Sequence, residues 1–135
     1  MHQSHALVAI VTLLSLLVYV WMIFRIGGAR RRSGIDAPAM TGDPELERHL
    51  RVQANTVEWL VIYLPALWLF AIYWNDLFAA AMGVVWIIGR IIYALGYAAD
   101  PKKREVGFII QALATAVLVF GALGRAIWVY AVIGA

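Results

Sequence analysis

The chain contains no cysteine. That excludes disulfides, thiolate metal sites and a cysteine nucleophile, so any thiol chemistry must arrive with a ligand. There is no internal repeat, no low-complexity tract and no soluble appendage. Histidine is scarce and scattered. His2 and His5 precede the first apolar run and His49 follows it, which puts them on opposite sides of a membrane and leaves no metal cluster to expect. A basic face is also missing. Nine of the eleven lysines and arginines fall within Arg25–Arg51 or Lys102–Arg104. A nucleic-acid-binding domain spreads its basic surface over a soluble fold, so that class is set aside.

Apolar residues are what the chain has in excess. They make up 64% of it, with a mean hydropathy of +0.81, where a soluble domain has about half. Lipid is the expected solvent, and the length suits a single domain over residues 1–135. The first apolar run, Ala6 to Phe24, lacks a basic start and a small-residue cleavage site. At about 19 residues it is expected to be a retained transmembrane helix over 6–27, with Gly27-Gly28 as its stop and Arg25 snorkelling to the interface. Asp43-Pro44 has the form of an N-cap followed by proline at the first helical position, opening a second helix over 44–74 that outlasts one bilayer crossing. Asn75-Asp76 make a tight turn into a third helix, 77–98. The polar link from Asp100 to Glu105 leads to a fourth, 106–130.

The expected fold is therefore an all-α integral membrane protein, an antiparallel four-helix transmembrane bundle. Alternating crossings place the first and third links on one side. Those links hold nearly all the basic charge, so the positive-inside rule makes that side cytoplasmic. The bare termini and the lack of a retention signal favour a bacterial inner membrane over an endomembrane.

Two polar stripes interrupt this apolar pattern. On a 3.6-residue period Arg48, Arg51, Asn55 and Glu58 share one face of the second helix, and Glu58 already lies inside the apolar run. Polar side chains entering lipid must face protein, water or a ligand. In the third helix Arg90 lies deep in the apolar run, with Tyr93 and Tyr97 on the same face. An arginine inside a membrane helix costs roughly 2.5–3.5 kcal/mol unless it finds partners. Glu58 lies at comparable depth on the neighbouring helix, so the plainest account is an ion pair tying the two helices together. Tyrosines near helix ends are ordinarily an interfacial belt, and Arg30–Arg32 and Lys102–Arg104 ordinarily anchor topology on anionic headgroups. Taken together, the stripes converge toward the basic side and suit an anionic, hydrogen-bonding ligand from the cytosol, beside lipid that could deliver an apolar one.

The segment E-R-H-L-R-V-Q-A-N-T-V-E-W, Glu47–Trp59, resembles the second-helix signature of the MAPEG family, the membrane-associated proteins of eicosanoid and glutathione metabolism. The segment G-R-I-I-Y-A-L-G-Y, Gly89–Tyr97, resembles that family's third-helix signature. The four-helix layout, the arginine cluster after the first helix and the T-G-D-P entry to the second extend the likeness over nearly the whole chain. Within the family it sits nearest the microsomal glutathione transferases and the leukotriene-forming branch. The resemblance implies a homotrimer that binds glutathione, as co-substrate, between adjacent protomers near the cytosolic face. It implies that Arg51, Asn55 and Glu58 bind the tripeptide, that Gln53 and Arg30 assist, and that Tyr93 and Tyr97 hold it from the third helix, with Trp59 and Arg90 in the same binding set. Arg104 matches the arginine that stabilises the thiolate, and Arg31 one proposed as a proton donor.

Two departures bear on the substrate. Trp59 stands where close relatives often carry tyrosine, and Ala116 where leukotriene-forming relatives carry a tryptophan over the lipid tail. The resemblance thus implies a membrane glutathione S-transferase acting on lipophilic electrophiles, with glutathione peroxidase activity toward lipid hydroperoxides as a further expectation. Two alternatives stand beside it: a glutathione-dependent isomerase of a lipid endoperoxide, and a non-catalytic lipid-binding or scaffold member of the same fold.

Overall fold

A computed structural model describes residues 5–134. The described residues form four long helices joined by short links: α1 (Ala6–Ser33), α2 (Pro44–Tyr73), α3 (Asp76–Ala99) and α4 (Glu105–Ile133), with one 3-10 turn (Pro101–Arg104) between α3 and α4. All four helical stretches are long and apolar enough to cross a membrane. They alternate in direction, so the α1–α2 and α3–α4 links share one end of the bundle, called here the basic end. His2 lies outside the described residues. His5 marks the opposite end, where its Nδ1 meets Asp76 Oδ1 at 2.7 Å.

Local chemistry sets the helix boundaries. Asp43 accepts from Leu46 N at 2.9 Å and Asn75 from Phe78 N at 2.8 Å, each satisfying an otherwise orphaned first-turn donor. The end of α1 departs from expectation. Gly27-Gly28 do not stop it; the helix continues to Ser33 and closes on Gly34, whose φ of 72° is the left-handed C-cap that glycine adopts without strain. Both glycines stay helical, and the cap falls on Gly34 instead. Arg30, Arg31 and Arg32 therefore occupy the last turn of a helix, where they complement its negative dipole end, and not a loop. α2 likewise runs through Pro65 without a break.

The core runs along the bundle axis while the outward faces of every helix expose leucine, isoleucine, valine and phenylalanine, as lipid-facing surfaces do. At mid-depth Tyr63 of α2 stacks on Trp86 of α3, with ring centroids 4.0 Å apart and planes 1° from parallel, and the Tyr63 hydroxyl meets Ser15 Oγ at 2.9 Å. Toward the basic end, α3 and α4 cross at Gly89 and Gly107. A Cβ on Gly89 would stand 2.7 Å from Gln111 N, and one on Gly107 would overlap the Tyr93 backbone. Small residues bring membrane helices into backbone contact in this way. The crossing sets Tyr93 and Tyr97 directly against the start of α4.

Candidate functional site

At the basic end, α2, α3 and α4 enclose a cavity of about 350 Å³ lined by Arg51, Asn55, Tyr93, Tyr97, Arg104, Glu105 and Phe108. Each helix contributes through its own period. Arg51 and Asn55 are one turn apart on α2, Tyr93 and Tyr97 one turn apart on α3, and Arg104 and Phe108 one turn apart across the start of α4. Gly96 lets the 3-10 turn fold back against α3, since a Cβ there would approach Lys103 O at 2.5 Å. With the turn held close, the Arg104 guanidinium lies over the Tyr97 ring at 5.8 Å, and its Nη1 donates to Pro101 O at 3.0 Å. Tyr93 and Tyr97 pack ring to ring at 5.6 Å, and Trp59 meets Phe108 edge-on at 5.5 Å to close the inner side.

Arg90 is fully buried below this cavity and does not line it. Its Nη1 donates to Asn55 Oδ1 at 2.8 Å and to Thr56 Oγ1 at 3.3 Å, and its guanidinium carbon stands 4.8 Å from the Tyr93 ring centroid. This corrects the ion pair expected between Arg90 and Glu58. Glu58 is exposed and pairs along its own helix with Arg51, Nη1 to Oε1 at 3.6 Å. Arg90 does tie α2 to α3, but through neutral oxygens, and in doing so it fixes the Asn55 side chain at the edge of the cavity.

Other expected site residues lie elsewhere in the single chain. Gln53 faces α1, donating from Nε2 to Tyr19 Oη at 3.0 Å. Arg30 donates from Nη1 to Ala39 O at 2.8 Å and Ile35 O at 3.3 Å, bracing the link after α1, and Arg31 is exposed. Arg48, grouped with Arg51 by periodicity, turns away from the cavity and donates from Nε to Ala98 O at 3.1 Å. Three contributors went unrecognised in the sequence. Thr56, adjacent to Asn55, is a second acceptor for Arg90. Glu105 and Phe108 line the cavity, and Phe108 could have been found from its i+4 spacing to Arg104.

The chain matches the MAPEG family over residues 8–124. It belongs to that family. Among its relatives, an uncharacterized protein of Synechocystis sp. is 46% identical over 120 residues, covering 89% of this chain and 88% of the relative. Microsomal glutathione S-transferase 2 of Homo sapiens is 40% identical over 127 residues, covering 93% and 86%. Leukotriene C4 synthase of Bos taurus is 35% identical over 125 residues, covering 92% and 83%. A MAPEG chain thus presents two guanidinium groups, a carboxylate, an amide and two phenols around one cavity at the basic end of the bundle.

Proposed function

We propose that this protein is a membrane glutathione S-transferase, joining the glutathione thiolate to lipophilic electrophiles, with peroxidase activity toward lipid hydroperoxides as a second outcome of the same activated sulfur. The observation that carries the reading is the cavity that gathers Arg51, Asn55, Tyr93, Tyr97 and Arg104 at the basic end. Named relatives that are glutathione S-transferases or leukotriene C4 synthases support it. Glutathione carries two carboxylates, two amides and one ammonium. Arg51 suits a carboxylate, Asn55 an amide, and Glu58, paired with Arg51 at the cavity edge, the ammonium.

The chemistry asks little of the protein beyond electrostatics. A free thiol has a pKa of about 8.5, so at neutral pH only a small fraction is nucleophilic. Arg104, permanently charged, favours the thiolate without competing for the proton, and a partly dry site strengthens that attraction. The thiol proton passes to solvent, sulfur bonds to the electrophilic carbon, and the leaving group departs. Arg31 is assigned a helping role toward the developing anion. Arg30, Arg31 and Gln53 lie on the α1 side of α2, away from the cavity, so their participation requires a neighbouring protomer. A homotrimer with shared sites and its basic end on the cytoplasmic side is part of the proposal.

A thiolate difference spectrum tests it. Detergent-purified protein mixed with glutathione at neutral pH is expected to show the thiolate band. The band is expected to vanish with S-methylglutathione and with Arg104→Ala, while conjugation of a chlorodinitrobenzene follows the same order. Equal binding in all samples with no band would sink the transferase reading and leave the lipid-binding alternative.

A further inference from the structure

The basic end carries a second cavity, between α1, α2 and α3, whereas the first lies among α2, α3 and α4. It also encloses about 350 Å³ and is lined by Arg25, Arg32, Glu45, Arg48 and His49, with Ala98 and Ala99 at its edge. None of these residues lines the first cavity. Three guanidinium groups face one carboxylate. Glu45 is already engaged, paired with Arg32 and 3.8 Å from His49 Nε2. Arg48 Nε is used on Ala98 O at 3.1 Å.

Arg25 is the informative member. Its guanidinium is held over the Trp21 ring, 4.9 Å from the centroid. Its Nη1 is shielded from solvent and has no hydrogen-bond partner. A buried charged donor without an acceptor is expensive, and a cavity bounded by surplus positive charge is where an acceptor would be missed most. Arg25 directly follows the apolar run that ends at Phe24, which puts the cavity at headgroup depth. Exposed Leu95 continues its wall toward the lipid-facing surface.

We propose that this cavity binds a phosphate group, with Arg25 and Arg48 as its main ligands and Arg32 as a screened third. The arginine fork matches phosphate oxygens, and an anion there would give Arg25 Nη1, one of several shielded donors without a partner, its acceptor. The same chemistry is offered by the phosphodiester of an anionic phospholipid and by a soluble phosphate.

Native mass spectrometry and thermal melting of the full chain in detergent separate these sources. The probes are phosphatidylglycerol, phosphatidylcholine as the zwitterionic control, and inorganic phosphate. The variants are Arg25→Gln, which removes the unpaired donor, and Ala99→Leu, which narrows the cavity without touching a charge. Lys102→Gln removes a charge outside it. Selective retention of phosphatidylglycerol, weakened about tenfold by both cavity variants and unchanged by Lys102→Gln, supports the site and assigns it to lipid. Stabilisation by inorganic phosphate without lipid selectivity, lost in the same variants, supports the site and assigns it to a soluble phosphate. No binding by the wild type, or an equal effect of Lys102→Gln and Arg25→Gln, overturns it. Should Arg25→Gln fail to fold, Ala99→Leu alone decides.

Discussion

Arg104 and Arg90 are the same residue type near one end of the bundle, yet the structure gives them opposite work. Arg104 is exposed, sits over Tyr97 and lines the cavity. Arg90 is fully buried and spends its bonds on Asn55 and Thr56. Replacing Arg104 by alanine is expected to lower kcat about a hundredfold, comparable to removing one preorganised electrostatic donor, with little change in melting temperature. Arg104→Lys should recover part of that loss. Arg90→Ala is expected to act differently. It leaves a hole and frees Asn55, while Thr56 keeps its own bond to Val52 O at 2.8 Å, so the cavity is the main cost, destabilising the fold by about 2–5 kcal/mol. Its kinetic mark is a KM for glutathione that rises more than kcat falls. Parallel melting curves and steady-state kinetics on the two variants check this; an Arg90→Ala protein as stable as wild type would contradict the buried role. Sequence alone placed Arg90 and Glu58 at equal depth and so suggested a pair. Depth along two helices was legible, but the angle around them was not, and that angle sends Glu58 outward to Arg51 while Asn55 and Thr56 face Arg90.

At the scale of the helix, what was legible follows from the same distinction. Four apolar runs and the Asp43 cap are local features, readable one segment at a time; Asn75, read as part of a turn, is the cap of α3. Where α1 ends was not readable in that way, because Gly27-Gly28 and Gly34 are each plausible stops and only the backbone conformation shows that the left-handed cap falls on Gly34. Also hidden was the α3–α4 crossing, where two glycines far apart in sequence meet. Gly107→Ala would push a methyl group into the Tyr93 backbone. It is expected to cost about 1–3 kcal/mol of stability, as overpacking does, and to impair folding and activity together. Gly96→Ala should separate them. Its Cβ meets only the Lys103 carbonyl region of the 3-10 turn, so the turn can shift and carry Arg104 away from Tyr97. The expected result is a bundle that melts near the wild-type temperature but has lost most of its thiolate band. Absorbance and circular dichroism on the same sample read both quantities.

For the whole molecule, the proposed homotrimer rests on the family resemblance, which assigns Gln53, Arg30 and Arg31 to the same site as Arg51 and Asn55. Arg51 and Asn55 open toward α3 and α4, while Gln53 turns to Tyr19 on α1, and Arg30 and Arg31 end α1. Under the proposed shared site, these residues reach one tripeptide only if a second copy supplies the missing wall, and a closed ring of copies would let every wall be used. Shared sites make a prediction that isolated sites cannot imitate. One chain carries Arg104→Ala and a second carries Arg30→Ala with Arg31→Ala; each alone is expected to be nearly inactive. Co-expressed in equal amounts, they form mixed rings in which some junctions join an intact Arg104 to an intact arginine pair. Random assembly of a cyclic trimer gives about a quarter of junctions that composition. Activity should therefore rise to about a quarter of the wild-type value per junction, well above the sum of the two variants. Mixing the two proteins after separate purification, in a detergent that prevents subunit exchange, should produce no such gain. If co-expression gives only the sum, each site is complete within one chain, and Arg30, Arg31 and Gln53 have no part in it.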